Sequence, residues 1–197
     1  QNEFENVSAK DRYGLFFPVG ICKICGLLQA TYRMDSKSYG EFYNLYYRQL
    51  YHGVARPFKY YYQRQYNKGD LILKYLQKND RNISNRKSVL EIGCGMGGIL
   101  KFFKDRGFSV KGVDLGEQFI LYGKEKLELD LEVGTIHDLN IGEPPDLVII
   151  NHVLEHLLDP AMDLKKLYTC LNENSLVYIS IPGVKLMTKK KELDFLR

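Results

Sequence analysis

The segment VLEIGCGMGGIL, residues 89–100, places four glycines in six positions directly behind a short apolar run. A stretch so poor in side chains is a turn that some other group approaches, because glycine alone tolerates left-handed angles and close backbone contact together. Gly93, Gly95 and Gly98 satisfy G-x-G-x-x-G, and Gly97 adds G-x-G-x-G. Residues 88–92 read as a strand before the loop, and the residues up to about Arg106 as a helix after it. That is the context in which such a loop cradles a nucleotide cofactor. Asp114 stands 21 residues after Gly93, at the end of the next predicted strand, where a carboxylate accepts hydrogen bonds from ribose hydroxyls.

From residue 85 the chain alternates in rhythm. Strands are predicted at 88–92, 109–113, 131–133, 146–151 and 176–181, with further helices at 117–126 and 160–171. The stretch DLVIIN is a continuous apolar run, the mark of a strand covered on both faces. Alternation of this kind predicts an α/β fold with a doubly wound, mostly parallel, Rossmann-like sheet. Ligands of such sheets bind outside the carboxyl ends of the strands, where the glycine loop sits.

The front of the chain is different. Residues 1–38 read as irregular structure with one cysteine pair, Cys22 and Cys25. Tyr39, Phe42, Tyr43, Tyr46, Tyr47, Leu50 and Tyr51 then recur at helical spacing, with Ser38 as N-cap and Gly53 and Pro57 as the stop. A second helix is expected over 61–76, closed by the polar run KNDRNISN. The expected division is an N-terminal segment over 1–38, a tyrosine-rich helical cap over 39–84 and a cofactor-binding α/β domain over 85–197.

Composition excludes several classes. With 45% apolar and 26% charged residues, the chain has a globular balance. No apolar run approaches the ~20 residues of a membrane span, and nothing resembles a signal peptide, so a cytoplasmic location is expected. Four scattered cysteines do not make a disulfide scaffold. Residues 1–84 hold 13 Lys/Arg against 7 Asp/Glu. This excess is read first as solvated surface charge, with attraction of an anionic substrate as the alternative.

Spacing alone leaves two cofactors open, a nicotinamide dinucleotide and S-adenosylmethionine, since both carry an adenosine. Glu91 interrupts the apolar strand two residues before the first glycine, where a carboxylate could receive donors from the loop or answer a cationic ligand such as S-adenosylmethionine, with its amino group and sulfonium. The motifs VLEIGCGMGG, VKGVDLG, PDLVIINHVLEHLLDP and LNENSLVYISIPG follow in order between residues 87 and about 183. In that order they resemble the successive motifs of class I S-adenosylmethionine-dependent methyltransferases. The resemblance implies that Glu91, Gly93, Cys94, Gly95 and Gly97 shape the methionine side of a pocket. Asp114 would hold the ribose, Leu115 would lie against the adenine, and Asn151 and His152 would close the pocket. The segment from Gly134 to Asp138, which includes Thr135 and Ile136 as candidate cofactor contacts, falls where the family often has Gly-Asp, with the Asp near the adenine amine. Thr135 replaces that acid, so Asp138 or a backbone group would take its part. The family's sheet usually ends in two more strands, but only a polar tail expected to be helical, KKKELDFLR, closes this sequence. Truncation at both ends is therefore expected, and with it an incomplete acceptor pocket.

Three further features remain. His152, Glu155 and His156 form H-x-x-E-H, which on a helix would put both imidazoles on one face and invite a metal. The alternative gives Glu155 and His156 a bracing role and makes His152 either the general base or acceptor-positioning group or a purely structural histidine. The run DRYGLFFPVGICKICGLLQ resembles the second hairpin of the N-terminal zinc module of sugar- and polysaccharide-modifying methyltransferases. That likeness implies zinc in the full-length protein, with Cys22 and Cys25 as half its ligands; two unligated cysteines are the alternative. Cys94 and Cys170 also read as packing residues. The tyrosine stripe is either a packing helix or a lid over the cofactor, with Tyr43 as a candidate acceptor-binding residue beside Tyr46 and Tyr47. No basic comb is interleaved with these rings, so nucleic acid is not the expected partner.

The function expected is methyl transfer from S-adenosylmethionine to a small-molecule, nucleotide-sugar or glycan acceptor. The alternatives are an NAD(P)-dependent oxidoreductase and a non-catalytic cofactor-binding module.

Overall fold

The computed structural model describes residues 3–11, 14–47, 50, 58–79 and 82–182. They fall into two compact units that part after Ser38. Tyr51, Gly53, Pro57 and the tail from residue 183 lie outside the described residues.

In the first unit the expectation of irregular structure is corrected. β1 (Phe4–Lys10), β2 (Phe16–Cys22) and β3 (Leu28–Ala30) form an antiparallel sheet in that order. The strands carry no clean alternation because most of their residues are exposed, and β2 contains Pro18 and Gly20, which are depleted in strands. Pro18 is tolerated at a bulge. Ser8 pairs with Val19 and Lys10 with Phe16, so Phe17 and Pro18 together face Ala9, and the ladder asks no N–H of the proline. The short helix α1 (Ser36–Glu41), whose residues from Tyr39 on belong to the second unit, begins earlier than expected. Its cap is Asp35, whose carboxylate accepts the Ser38 N–H at 2.8 Å, and not Ser38 itself. That bond holds the Asp35 carboxyl below its usual range. Phe42–Tyr46 continues from α1 as a π-type turn.

In the second unit α2 (Phe58–Asn79) leads through a single turn at Ile83–Asn85 into a five-stranded sheet. Its strands are β4 (Ser88–Ile92), β5 (Ser109–Asp114), β6 (Asp130–Val133), β7 (Leu147–Asn151) and β8 (Leu176–Ser180). The order is β6-β5-β4-β7-β8 and every pair is parallel. The connecting helices are α3 (Gly98–Lys104), α4 (Glu117–Leu127) and α5 (Pro160–Tyr168). The expected doubly wound sheet is present. The chain winds outward from β4 to β6 and returns to β7 on the other flank of β4, so the switch point lies at the carboxyl ends of β4 and β7.

Both faces of the sheet are covered at its centre, which is why β7 reads as a continuous apolar run and β4 as one broken by Glu91. Val89, Leu147 and Ile149 join Ile72, Leu100 and Phe103 on one side. Leu90, Ile92, Val148 and Ile150 join Ile136 and Leu167 on the other. Asp146 locks the amino ends of the two central strands. One carboxylate oxygen accepts the Lys87 and Ser88 N–H groups at 2.7 and 2.9 Å, and the Arg86 guanidinium donates to its main-chain carbonyl at 2.7 Å. Those donors, led by the Lys87 amide, hold its carboxyl below the usual range.

Candidate active site

The glycine loop emerges from β4 in a conformation that side chains resist. Gly93, Gly95 and Gly97 have φ of 70°, 56° and 78°, in the left-handed region where glycine carries no Cβ penalty. Its residues are held in place by Asp114 at the end of β5. One Asp114 oxygen accepts the Gly95 N–H and the other the Gly116 N–H, each at 2.7 Å. A carboxylate is an acceptor-only group with about four lone-pair sites, so it can serve both amides at once.

Glu91 is the buried carboxyl of the site. It is 2% exposed, and burial, reinforced by the charge of Asp114, pushes its carboxyl well above the glutamate range; the Leu100 main-chain amide pulls the other way. Its Oε2 has no hydrogen-bond partner, and neither does the buried Oδ1 of Asn151. Glu91 pairs with Ile149 across β4 and β7, so Asn151, two residues on, lies on the same face of the sheet. Two buried acceptors without donors, on neighbouring strands at the switch point, fit a cationic donor such as the methionyl ammonium of S-adenosylmethionine.

The segment after β7 departs from one expectation. His152 has φ of 56° and its N–H donates to the Ser180 carbonyl at 2.8 Å. Only Leu154–His156 form a helical turn, so the two histidines do not share a helical face. Among the described residues no cluster of three or more His, Cys, Asp or Glu could hold a metal. Glu155 stands between the imidazoles, 3.5 Å from His152 Nδ1 and 3.9 Å from His156 Nε2. Burial lowers the His156 pKa against the raising effect of Glu155. A Cβ on Gly93 would come within 2.2 Å of Val153 Cγ2, so the loop and this segment are in direct contact.

The other predicted residues divide by what their side chains touch. Cys94 and Ile136 are buried in the two cores, which leaves only their main chain to meet a cofactor. Leu115 is half-buried beside Asp114. Thr135 donates to Asp138 Oδ2 through both its N–H and its hydroxyl, at 2.8 and 2.7 Å. Asp138 is thus committed to its own turn. Tyr39, Tyr43 and Tyr47 form a ladder with successive ring centroids 4.6 Å apart. Tyr43 and Tyr47 meet the His156 ring edge-on, and the Tyr39 hydroxyl donates to the His156 carbonyl. Tyr46, by contrast, is 55% exposed.

Sequence reasoning missed Gln65 on α2. Its Oε1 accepts the Gly98 N–H at 3.2 Å and its Nε2 donates to the Cys94 carbonyl at 3.4 Å. No spacing rule links a helical glutamine to a loop 33 residues away.

Cys22 and Cys25 flank the turn between β2 and β3, where Gly26 has φ of 73° and its N–H donates to the Cys22 carbonyl at 2.9 Å. The main-chain amides of Cys25 and Ile24 point at the Cys22 thiol and lower its pKa. The donor set suits a soft metal, but two thiolates supply only half of a structural zinc's four ligands.

A parallel sheet in this order, with a glycine loop tied to Asp114 at the end of β5 and two orphaned acceptors at the switch point, defines a class I methyltransferase fold, the type that uses S-adenosylmethionine. Residues 60–196 match the family model described as a methyltransferase domain, and the chain belongs to that family. Among curated relatives, it is 28% identical over 118 residues to the ubiquinone biosynthesis O-methyltransferase of Bradyrhizobium diazoefficiens, covering 56% of this chain and 47% of that protein. It is also 28% identical over 105 residues to the (S)-tetrahydroprotoberberine N-methyltransferase of Eschscholzia californica, covering 49% and 30%. The chain thus spans about a third to a half of the length of these relatives. The S-adenosylmethionine-bound amino pentose methyltransferase of calicheamicin biosynthesis from Micromonospora echinaspora shares the fold, with a TM-score of 0.54 at 15% identity over 67% of this chain and 60% of that one. So does a plantazolicin methyltransferase in complex with SAH, with a TM-score of 0.55 at 18% identity over 78% and 63%. Among the described residues no helix is long and apolar enough to cross a membrane.

Proposed function

We propose that the chain carries the methyl-donor site of an S-adenosylmethionine-dependent methyltransferase acting on a small-molecule or glycan-type acceptor. The observation that carries this reading is the pair of orphaned buried acceptors, Glu91 Oε2 and Asn151 Oδ1, at the switch point. A nicotinamide dinucleotide would meet Asp114 equally well but brings no ammonium to that pair. S-adenosylmethionine supplies an electrophilic methyl group for in-line displacement. Glu91 and Asn151 would hold its ammonium, Asp114 its ribose, and Leu115 with the Thr135–Ile136 main chain its adenine. The tyrosine ladder over the His156 segment would exclude water, with Tyr43 and Tyr47 facing the acceptor side. The protein's share of catalysis is then positioning, with modest help from a base. The O- and N-methyltransferases among its relatives favour a small organic acceptor; a sugar or polysaccharide rests on the likeness of the N-terminal hairpin.

His152 is the proposed base, with Glu155 orienting its imidazole. Incubating the full chain with methyl-labelled S-adenosylmethionine and candidate acceptors should give labelled products by mass spectrometry. His152→Ala should lower the rate at saturating S-adenosylmethionine by about 10²-fold; an unchanged rate removes the base role. No labelled product with any acceptor, despite SAH binding, would favour a non-catalytic module.

The Cys22–Cys25 hairpin supports a zinc half-site completed by further ligands. Zinc that co-purifies with the full-length protein and is lost in Cys22→Ser supports this; equal zinc in both overturns it.

A further inference from the structure

We propose that Gln65 is a positioning residue that sets the shape of the cofactor loop from outside it. The inference rests on the reading of that loop as the S-adenosylmethionine site. A helix start leaves main-chain N–H groups without intrahelical partners, which a side-chain oxygen at the N-cap normally satisfies. α3 begins behind Gly97, which has no side chain to do so. A loop emptied of side chains for close approach has given up its own cap. Gln65 supplies the missing acceptor from α2 by taking the Gly98 N–H, while its amide nitrogen donates to the Cys94 carbonyl. That carbonyl also accepts the Gly97 N–H at 2.9 Å. One carboxamide therefore grips the loop at both ends of the Cys94–Gly98 span, a task needing a donor and an acceptor together, which a glutamine provides.

The approach of α2 is built for this contact. A Cβ on Gly98 would lie 2.5 Å from Gln65 Cβ and 2.9 Å from the Tyr62 carbonyl oxygen, so the last glycine of the motif is small for α2 rather than for a ligand. A Cβ on Gly69 would lie 2.7 Å from Phe102, which lets α2 settle onto α3 one turn further along. Phe58, at the start of α2, stacks on Tyr122 at 4.8 Å between centroids, fixing the other end of the helix. Gln65 thereby couples the helical cap to the loop.

The test uses the full chain and the variants Gln65→Met, which keeps length without polarity, and Gln65→Glu, which keeps the acceptor for Gly98. Amide hydrogen exchange of the unliganded protein should show the Gly98 amide exchanging about tenfold faster in Gln65→Met, with β7 and α4 unchanged and Gln65→Glu in between. Calorimetry should show SAH affinity falling about tenfold in Gln65→Met at an unchanged thermal midpoint. Unchanged exchange overturns the grip, and faster exchange with unchanged affinity overturns the positioning role. If the wild-type chain binds no SAH, the methyl-donor reading fails, while exchange still decides whether Gln65 holds the loop.

Discussion

Asp114→Ala should weaken SAH binding by at least about 100-fold, because two ribose hydrogen bonds to a charged acceptor are lost at about 1.5–3 kcal/mol each. The effect exceeds what a ribose contact alone would give. The same carboxylate accepts the Gly95 and Gly116 N–H groups at 2.7 Å, so its removal frees the loop and the start of α4 together. Asp114→Asn should behave nearly as badly. A carboxamide offers an acceptor to one of those amides and turns its NH2 toward the other, donor against donor. Isothermal titration with SAH measures the affinity, and a thermal midpoint lowered by only a few degrees shows that the fold survives. An Asn variant that binds like the wild type would show that Asp114 does not act through both oxygens.

Glu91→Gln is the second large effect, and its sign depends on whether the cofactor is present. Below the ordinary glutamate value of 4.5 the carboxyl is protonated in both folded and unfolded chains. Because burial raises the folded value well above 4.5, the folded chain keeps a proton that the unfolded chain has lost as pH rises. Stability of the unliganded protein should therefore decline with pH through that window, by up to about 1.4 kcal/mol per pH unit, and level off above the folded value. Glu91→Gln removes the slope and is the more stable protein at neutral pH. Cofactor binding runs the opposite way. An ammonium beside Glu91 favours the carboxylate, so SAH affinity should rise with pH in the wild type, and Glu91→Gln should lose about 2 kcal/mol of it, roughly 30-fold. Thermal melts and titrations across pH 5–8 read both. A variant that binds SAH as tightly as the wild type, with the same pH slope, would place the ammonium elsewhere.

Much of this was legible from residues alone, for definite reasons. β4 and β7 announce themselves because both of their faces are buried, so Leu147–Asn151 has no polar interruption before Asn151. Glu91 stands out because a carboxylate in such a strand conflicts with its surroundings, and such conflicts mark ligand sites. The N-terminal sheet was hidden because its short strands are mostly exposed and a bulge hosts Pro18. The left-handed His152 had no signal, since a histidine with positive φ is set by the Ser180 carbonyl that its N–H meets. Asp35 was passed over because the aromatic stripe drew the helix start to Ser38. Gln65 was invisible for a related reason: its partners are main-chain groups, which every sequence has.

Titration of the full chain with SAH and, separately, with NADH tests the central claim most directly. The account predicts saturable one-to-one binding of SAH, weakened at least about 100-fold by Asp114→Ala and roughly 30-fold by Glu91→Gln, and no heat with NADH. Saturable binding of NADH with none of SAH would contradict it.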